Sequence, residues 1–530
     1  MALPELRADI CVIGSGAGGS VVASYAARAG LKTLVLERGG WFTADHMSHH
    51  ETSVVASMFK DGGLQTTDTF DFYIPQGQCV GGSTTLSNAV AFRVPEEVQE
   101  RWIREFGFPA TRAELEESYE RVERSSSVQP CDERSFSPGT FKFLDGCKEL
   151  GLEEDRYRPF DKGIKDCLGC GMCNNGCPYE RKRTPLHTYI PDAVRHGAEV
   201  LTYAEAWKLK QQGSRITELL VRRIPPDGPP HYVRVVADKF VLAAGGIGSA
   251  AVLLRSRVGH NAGKWVSFNA GCAVTGEWDE VIDAHLGDDM CAYYMTRDYT
   301  VESTINPPGA LSLFTPAYFE EHWNLVHRIR HLFQAGVLVP SDPVARVRYG
   351  LLSRLMKHEL VRYKPTEDDL ERTRKGLIMA AKILLAGGAK RVFLPFAITT
   401  TVETFAEVEN KVRAGLTRHA DLNTFGSTHV FGGAVLSEDP RRGTIGPDFR
   451  VHGTDNLYVA DGSVFPTALA VNPWITISAT ADYFCVNSLK LKPVTLEDEP
   501  TPPRVQELLA ESRGEHEQKQ GRVEVTTSFG

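Results

Sequence analysis

The chain has 530 residues, 42% hydrophobic and 24% charged, a globular composition with ample length for a large core. A formal net charge of -8 excludes a generally basic nucleic-acid binder. No uninterrupted apolar run can span a bilayer and the first nine residues carry no apolar leader core, so a cytoplasmic protein is expected.

A buried strand is predicted over 8–13. It runs into Gly14-Ser-Gly16-Ala-Gly-Gly19, then a small-residue helix to Ala29, then a second strand over 32–37 that ends on Glu37. A glycine-rich segment follows at 76–84, and 94–130 has a charged helical pattern. Strands are predicted near 199–222, a turn at the proline-rich 225–230, and a strand over 239–244 entering Gly245-Gly246. Residues 258–425 are mixed, with amphipathic helices at 351–360 and 367–386. A last folded block spans 427–490. Beyond it, 491–530 reads as a mobile polar tail with one short helix at 504–511.

The GxGxxG spacing stands between a strand and a helix, and Glu37 closes the next strand 18 residues after Gly19. Gly14 permits the turn, Gly16 lets a pyrophosphate approach the backbone, and Gly19 lets helix and strand pack closely. The helix N-terminus offers N–H groups to phosphate, and Glu37 offers an acceptor to a ribose hydroxyl. A dinucleotide site follows, but this fingerprint does not choose between NAD and FAD.

Four further stretches occur in order: Val80-Gly-Gly-Ser-Thr-Thr-Leu-Ser-Asn88, Val241-Leu-Ala-Ala-Gly-Gly-Ile-Gly-Ser249, Asn456-Leu-Tyr-Val-Ala-Asp461-Gly-Ser-Val-Phe-Pro466 and Ala470-Val-Asn472-Pro473. With the N-terminal unit, they make the chain resemble the glucose–methanol–choline (GMC) oxidoreductases. The resemblance implies an α/β fold. A Rossmann-like FAD-binding domain is built from 5–93, 196–257 and 427–490, and 94–195 connects it to an α+β substrate-binding domain over 258–426. It also implies that Gly81, Gly82 and Asn88 line pyrophosphate and flavin, that Gly245 lies at the cofactor, and that Asp461 meets it near its centre. Some members tether FAD through a histidine after the Gly-Gly pair. No histidine lies between Asp71 and Arg101, so noncovalent FAD is expected.

An alcohol gives up hydride readily only as its hydroxyl proton departs, so a base and an oxygen-holding group are needed beside the flavin. By the resemblance, His429 in Ser-Thr-His-Val-Phe-Gly takes the catalytic position, as base or hydrogen-bond partner of the hydroxyl. Asn472 takes the second, orienting the oxygen near the cofactor. After the histidine the chain reads Phe431-Gly-Gly-Ala-Val-Leu-Ser437, a departure from the usual Gly-Thr pattern.

Of the 11 cysteines, four stand at Cys167, Cys170, Cys173 and Cys177, the last followed by proline. This C-x2-C-x2-C-x3-C-P spacing is the bacterial iron–sulfur run. Disulfides do not suit a chain without export signals, and structural zinc more often takes two pairs across a longer loop. A 4Fe-4S cluster is expected, or a 3Fe-4S one, with Cys131 or Cys147 as a possible distant ligand. Such a centre would pass electrons singly from flavin to an external protein or quinone, so a dehydrogenase is expected. Lys182-Arg-Thr-Pro and the stretches at 363–369 and 376–389 resemble the long-chain alcohol oxidases and dehydrogenases, which implies a hydrophobic alcohol. An oxidase, a sugar dehydrogenase or a lyase on the same fold are the alternatives. Basic and apolar residues mix over 328–339 and 346–362, as in helices that touch membranes.

Overall fold

The computed structural model describes residues 3–48, 50–314, 319–356, 358–398 and 400–497. The expected helix at 504–511 lies outside these residues.

The strand Glu5–Ile13 is hydrophobic on both faces in its second half, which suits the middle of a parallel sheet. It pairs in parallel with Thr33–Leu36 and with His231–Leu242, and Glu199–Leu201 and Leu457–Val459 extend the parallel core on either side. The long strand His231–Leu242 serves twice. Its first half also carries the antiparallel Ala204–Gln212/Arg215–Arg223 pair. The helices Ala17–Arg28 and Trp474–Asn487 cover this sheet with small and apolar side chains.

A second, eight-stranded sheet is antiparallel, with Ser267–Glu277 and Leu332–Pro340 at its centre and Thr300–Thr304 beside them. The predicted helix Glu367–Ala386 forms as expected, opened by a Thr366/Asp369 capping box, and packs on this sheet. The opposite face looks onto a cavity shared with the first sheet.

Three expectations change. The segment 94–195 is not a separate unit. Its helix Arg112–Ser125 packs on Trp474–Asn487, whereas its helix Pro138–Glu149 packs on Glu367–Ala386 and its strand Tyr157–Pro159 joins the second sheet. Residues 491–497 are docked rather than free. The Val494 N–H donates to Tyr25 Oη (3.0 Å), the Leu496 N–H donates to Ser125 Oγ (2.9 Å), and both apolar side chains are buried. The two basic-apolar stretches are not continuous helices. Residues 332–340 are a central strand, and 346–362 folds as strand, short helix and strand. Ala335, Val337 and Val339 are buried at the strand period while Gly336 and Leu338 between them are less so, which fits a pleat better than a helical face. No helix among the described residues is long and apolar enough to cross a membrane.

Candidate active site

Between the sheets lies a cavity of about 470 Å³, within the range of small-molecule sites. Gly14, Gly16 and Glu37 contribute one part of its wall, and Gly82, Asn88, Gly245 and Asp461 another. Gly14 turns the chain with φ 105°, a conformation closed to most side chains. Glu37 is buried, and its carboxylate accepts from Ser15 Oγ (2.7 Å), the Ser15 N–H (3.2 Å) and the Gly39 N–H (2.9 Å). Burial raises its pKa and these donors oppose the rise.

Asp461 behaves likewise. Oδ2 accepts from the Gly245 N–H (2.9 Å) and Ser249 Oγ (2.6 Å), and Oδ1 accepts from the Ser463 N–H (2.8 Å) and Ser463 Oγ (2.5 Å). It ties the turn after one parallel strand to the loop after another. The Asn88 amide donates to Asp289 Oδ1 at 2.7 Å. Gly19 and Gly81 stand behind the wall. Gly19 packs against Gly14, and the Gly81 N–H donates to Ser15 Oγ (3.1 Å). A cradle with glycines at the turn, helix N–H groups in front and an acidic strand end fits a dinucleotide.

His429 and Asn472 come from two loops 43 residues apart and both face the cavity. Asn269, fully buried on Ser267–Glu277, sews the loops together. Its Oδ1 accepts from the Ala470 N–H (3.1 Å), and its Nδ2 donates to Val471 O (2.8 Å) and contacts His429 Nδ1 (3.3 Å). Its own carbonyl accepts from Ser427 Oγ (2.7 Å). The first two contacts fix which end of the amide is nitrogen, so His429 Nδ1 is an acceptor. A neutral imidazole then carries its proton on Nε2, the nitrogen left for a ligand. Of the two roles expected, base or hydrogen-bond partner, this tautomer presents the hydrogen-bond donor. Burial depresses the His429 pKa to about 4, so the ring is neutral at pH 7.

Glu302 is a member of this site that sequence reasoning missed. It lines the cavity from Thr300–Thr304, 3% exposed, and burial pushes its pKa up to about 8 against the opposing Asn472 amide. Asn472 Oδ1 has no hydrogen-bond partner, so its amide nitrogen serves Glu302 and its oxygen is left open. Thr304 and Asn306 follow Glu302 at the strand period and line the same wall. That alternation was the available signal.

The cysteine run adjoins this cavity, since Asn174 lines it and Cys173 packs with Ala89 and Cys167. The Gly169 N–H points to Cys167 Sγ (3.4 Å) and the Arg181 N–H to Cys177 Sγ (3.2 Å). Yet among the described residues, the ligand trios within 4.8 Å of one another are Cys173 with Asp288 and Asp289, and Cys131 with Asp288 and Cys291. Tetrahedral ligation of one ion at about 2.3 Å needs sulfurs about 3.8 Å apart, and the run does not offer that. A cluster spreads its cysteines wider, because several irons stand between them. Burial and the Asp288 charge push the Cys167 thiol well up, and burial with the two aspartates does the same to Cys173. Two buried cations face the loop. Lys162 Nζ pairs with Asp288 Oδ1 (2.6 Å), and Lys182 Nζ donates to the carbonyls of Thr85, Ser87 and Cys173 at 2.7–2.8 Å. Cys147 lies in the second sheet's core, apart from the run.

Two family models, both described as GMC oxidoreductase, match residues 54–287 and 356–481. An uncharacterised GMC-type oxidoreductase of Mycobacterium tuberculosis is 28% identical over 488 residues, covering 90% of this chain and 75% of that protein. A long-chain-alcohol oxidase of Arabidopsis thaliana is 27% identical over 527 residues, covering 91% of this chain and 67% of that protein. Among solved structures, pyridoxine 4-oxidase from Mesorbium loti superposes with a TM-score of 0.70 at 18% identity, covering 91% of this chain and 99% of the other.

Proposed function

The chain belongs to the GMC oxidoreductase family, and on that premise we propose that it oxidises an alcohol to an aldehyde or ketone with noncovalently held FAD. The observation that carries this reading is the convergence of His429, Asn472 and Glu302 on the same cavity as the glycine turn and Glu37. FAD, when bound, supplies the acceptor for the two electrons and hydrogen that leave the alcohol carbon. The chain's own residues prepare that carbon. The Nε2–H of His429 donates to the hydroxyl oxygen, and Asn472 Oδ1 accepts the hydroxyl hydrogen. Two such bonds to one hydroxyl leave its carbon little freedom to turn. The hydroxyl proton must leave with the hydride, and His429 Nε2 takes it once the ring's own proton has moved to Nδ1, a shift that displaces the Asn269 amide contact and gives an imidazolium. Anaerobic mixing with alcohols tests the reading: flavin absorbance should bleach, and a flavin left oxidised by every alcohol tried would remove it.

The acid limb of kcat/KM should lie near pH 4, where His429 protonates, and activity should hold from there to neutral pH. A limb near an ordinary imidazole's pKa of about 6.5 would mean that water reaches the ring. On the basic side, the rate should change near pH 8 as Glu302 ionises.

We further propose that Cys167, Cys170, Cys173 and Cys177 hold an iron–sulfur cluster and that an external carrier takes the electrons. The spacing and the N–H groups aimed at sulfur support it. The approach of Cys173 to Asp288 and Asp289 favours a second reading, an oxidase that hands its electrons to dioxygen. The name of the Arabidopsis relative favours it too. Protein purified without oxygen should contain iron and acid-labile sulfide, both lost in Cys170→Ser. Zinc without sulfide, with rapid reoxidation in air, would select the oxidase.

A further inference from the structure

We propose that the face built around residues 346–364 docks on an anionic lipid bilayer, without crossing it and independently of the reaction catalysed. The five most exposed large apolar side chains among the described residues are Phe70 (84%), Ile398 (81%), Leu64 (80%), Leu351 (75%) and Leu355 (74%). Contacts gather them on one side of the molecule. Leu351 and Leu355 stand one turn apart on Leu351–Met356, the tip of the hairpin Arg346–Arg348/Leu360–Arg362. The Asp68 N–H donates to Val361 O (2.8 Å) and Asp61 Oδ2 meets His358 Nε2 (2.7 Å), so Leu64 and Phe70 lie beside that hairpin. Asp71 Oδ2 meets His419 Nε2 (2.7 Å) and the Ala397 N–H donates to Asp421 O (2.8 Å), which brings Ile398 to the margin. Apolar side chains gathered in this way mark a surface that something covers.

Charge says what covers it. The hairpin turns Val347 and Val361 inward and sets Arg346 directly opposite Arg362, with Arg348 and Lys364 beside them, all exposed. Like charges facing each other across a strand pair destabilise it. None of these cations is in an ion pair among the described residues. Asp61 and Asp71 are each held by a histidine, and Glu359 by Lys60, which leaves Asp68 as the one acid of these segments without a partner for its carboxylate. A bilayer suits both features. Acyl chains receive the apolar tips, and anionic headgroups receive the cations around them. A second copy packed face to face about a two-fold axis would set these arginines against their own kind. Phe59, Lys60 and Glu359, from the same segments, line the cavity, so the docked face borders it.

The test is co-sedimentation of the flavin-loaded enzyme with vesicles of phosphatidylcholine, with and without phosphatidylserine. Binding should be roughly tenfold or more tighter on the mixed vesicles, and high salt should shrink the difference. Leu351→Ser/Leu355→Ser should weaken binding roughly 30-fold or more, since both leucines forfeit their burial in lipid. Its Tm should not move, because both side chains are exposed in the free protein. Arg346→Gln/Arg362→Gln should lose about 25-fold, at about fivefold per charge near an anionic surface, and only on the mixed vesicles. Leu286→Ser, 58% exposed but outside these segments, should bind as wild type does. If the leucine pair lowers Tm, the arginine pair decides. Failure to sediment with the mixed vesicles overturns the proposal, as does binding that ignores phosphatidylserine or survives the leucine pair. A dimer abolished by the same leucines, with no vesicle binding, assigns the face to a second copy and overturns it too.

Discussion

Replacing His429 by alanine should slow anaerobic flavin reduction roughly 10²–10⁴-fold, the usual worth of a positioned proton-handling group, with flavin content unchanged. The expectation follows from its place. His429 meets the cavity with one nitrogen and Asn269 with the other. Removing the ring takes away the donor that holds the hydroxyl oxygen. It touches none of the contacts that fix Gly14, Glu37 or Asp461. A rate within threefold of wild type would show that His429 is not at the reacting atoms. The partner experiment is Asn269→Asp. A carboxylate beside Nδ1 draws the proton there and stabilises the imidazolium, so the acid limb should rise by about one pH unit or more. Nε2 then becomes an acceptor, and the variant tests whether a base or a donor serves the reaction better. A purely structural Asn269 would lower stability and leave the limb where it was.

The second large effect concerns two neighbouring glycines that fail for different reasons. A Cβ on Gly18 would stand 1.8 Å from Ala460 O, a backbone atom at the end of a core strand. Nothing there is the flexible tip of a side chain. The helix must move off the sheet, at a cost of about 1–3 kcal/mol or more, out of a total stability of about 5–15 kcal/mol. Gly18→Ala should therefore lower Tm in flavin-free protein and also lose FAD. A Cβ on Gly16 meets nothing nearer than Gly82 Cα at 4.0 Å, so Gly16→Ala should fold normally without flavin. The new methyl projects into the cavity where pyrophosphate approaches the backbone, so FAD affinity should fall all the same. Equal Tm losses in both variants would refute this division of roles.

The N-terminal βαβ unit could be read because strand, turn and helix there are local: thirty consecutive residues carry the pattern and the chemistry. Glu37 was placed the same way, by its distance from the turn. The helix Glu367–Ala386 declared itself through its cap and its apolar stripe. Residues 332–340 misled because basic and apolar residues precede a strand whose pleat is fixed by its neighbours in the sheet. His429 and Asn472 were found through motif resemblance, since one histidine among 16 has no local mark of its task.

What the sequence determined by itself were the features set by spacing along the chain: the glycine turn, the acidic strand end, the four-cysteine run and the period of the long helix. Only the tertiary structure decided which nitrogen of His429 faces a ligand, that Gly18 must be bare, that Cys173 sits by Asp288 and Asp289, and that Glu302 is an orphaned acid in the cavity. Each of these depends on groups brought together from segments far apart in the chain. A polar residue in a strand looks the same in sequence whether its face meets water or a closed pocket, and burial alone changes its protonation and its need for a partner.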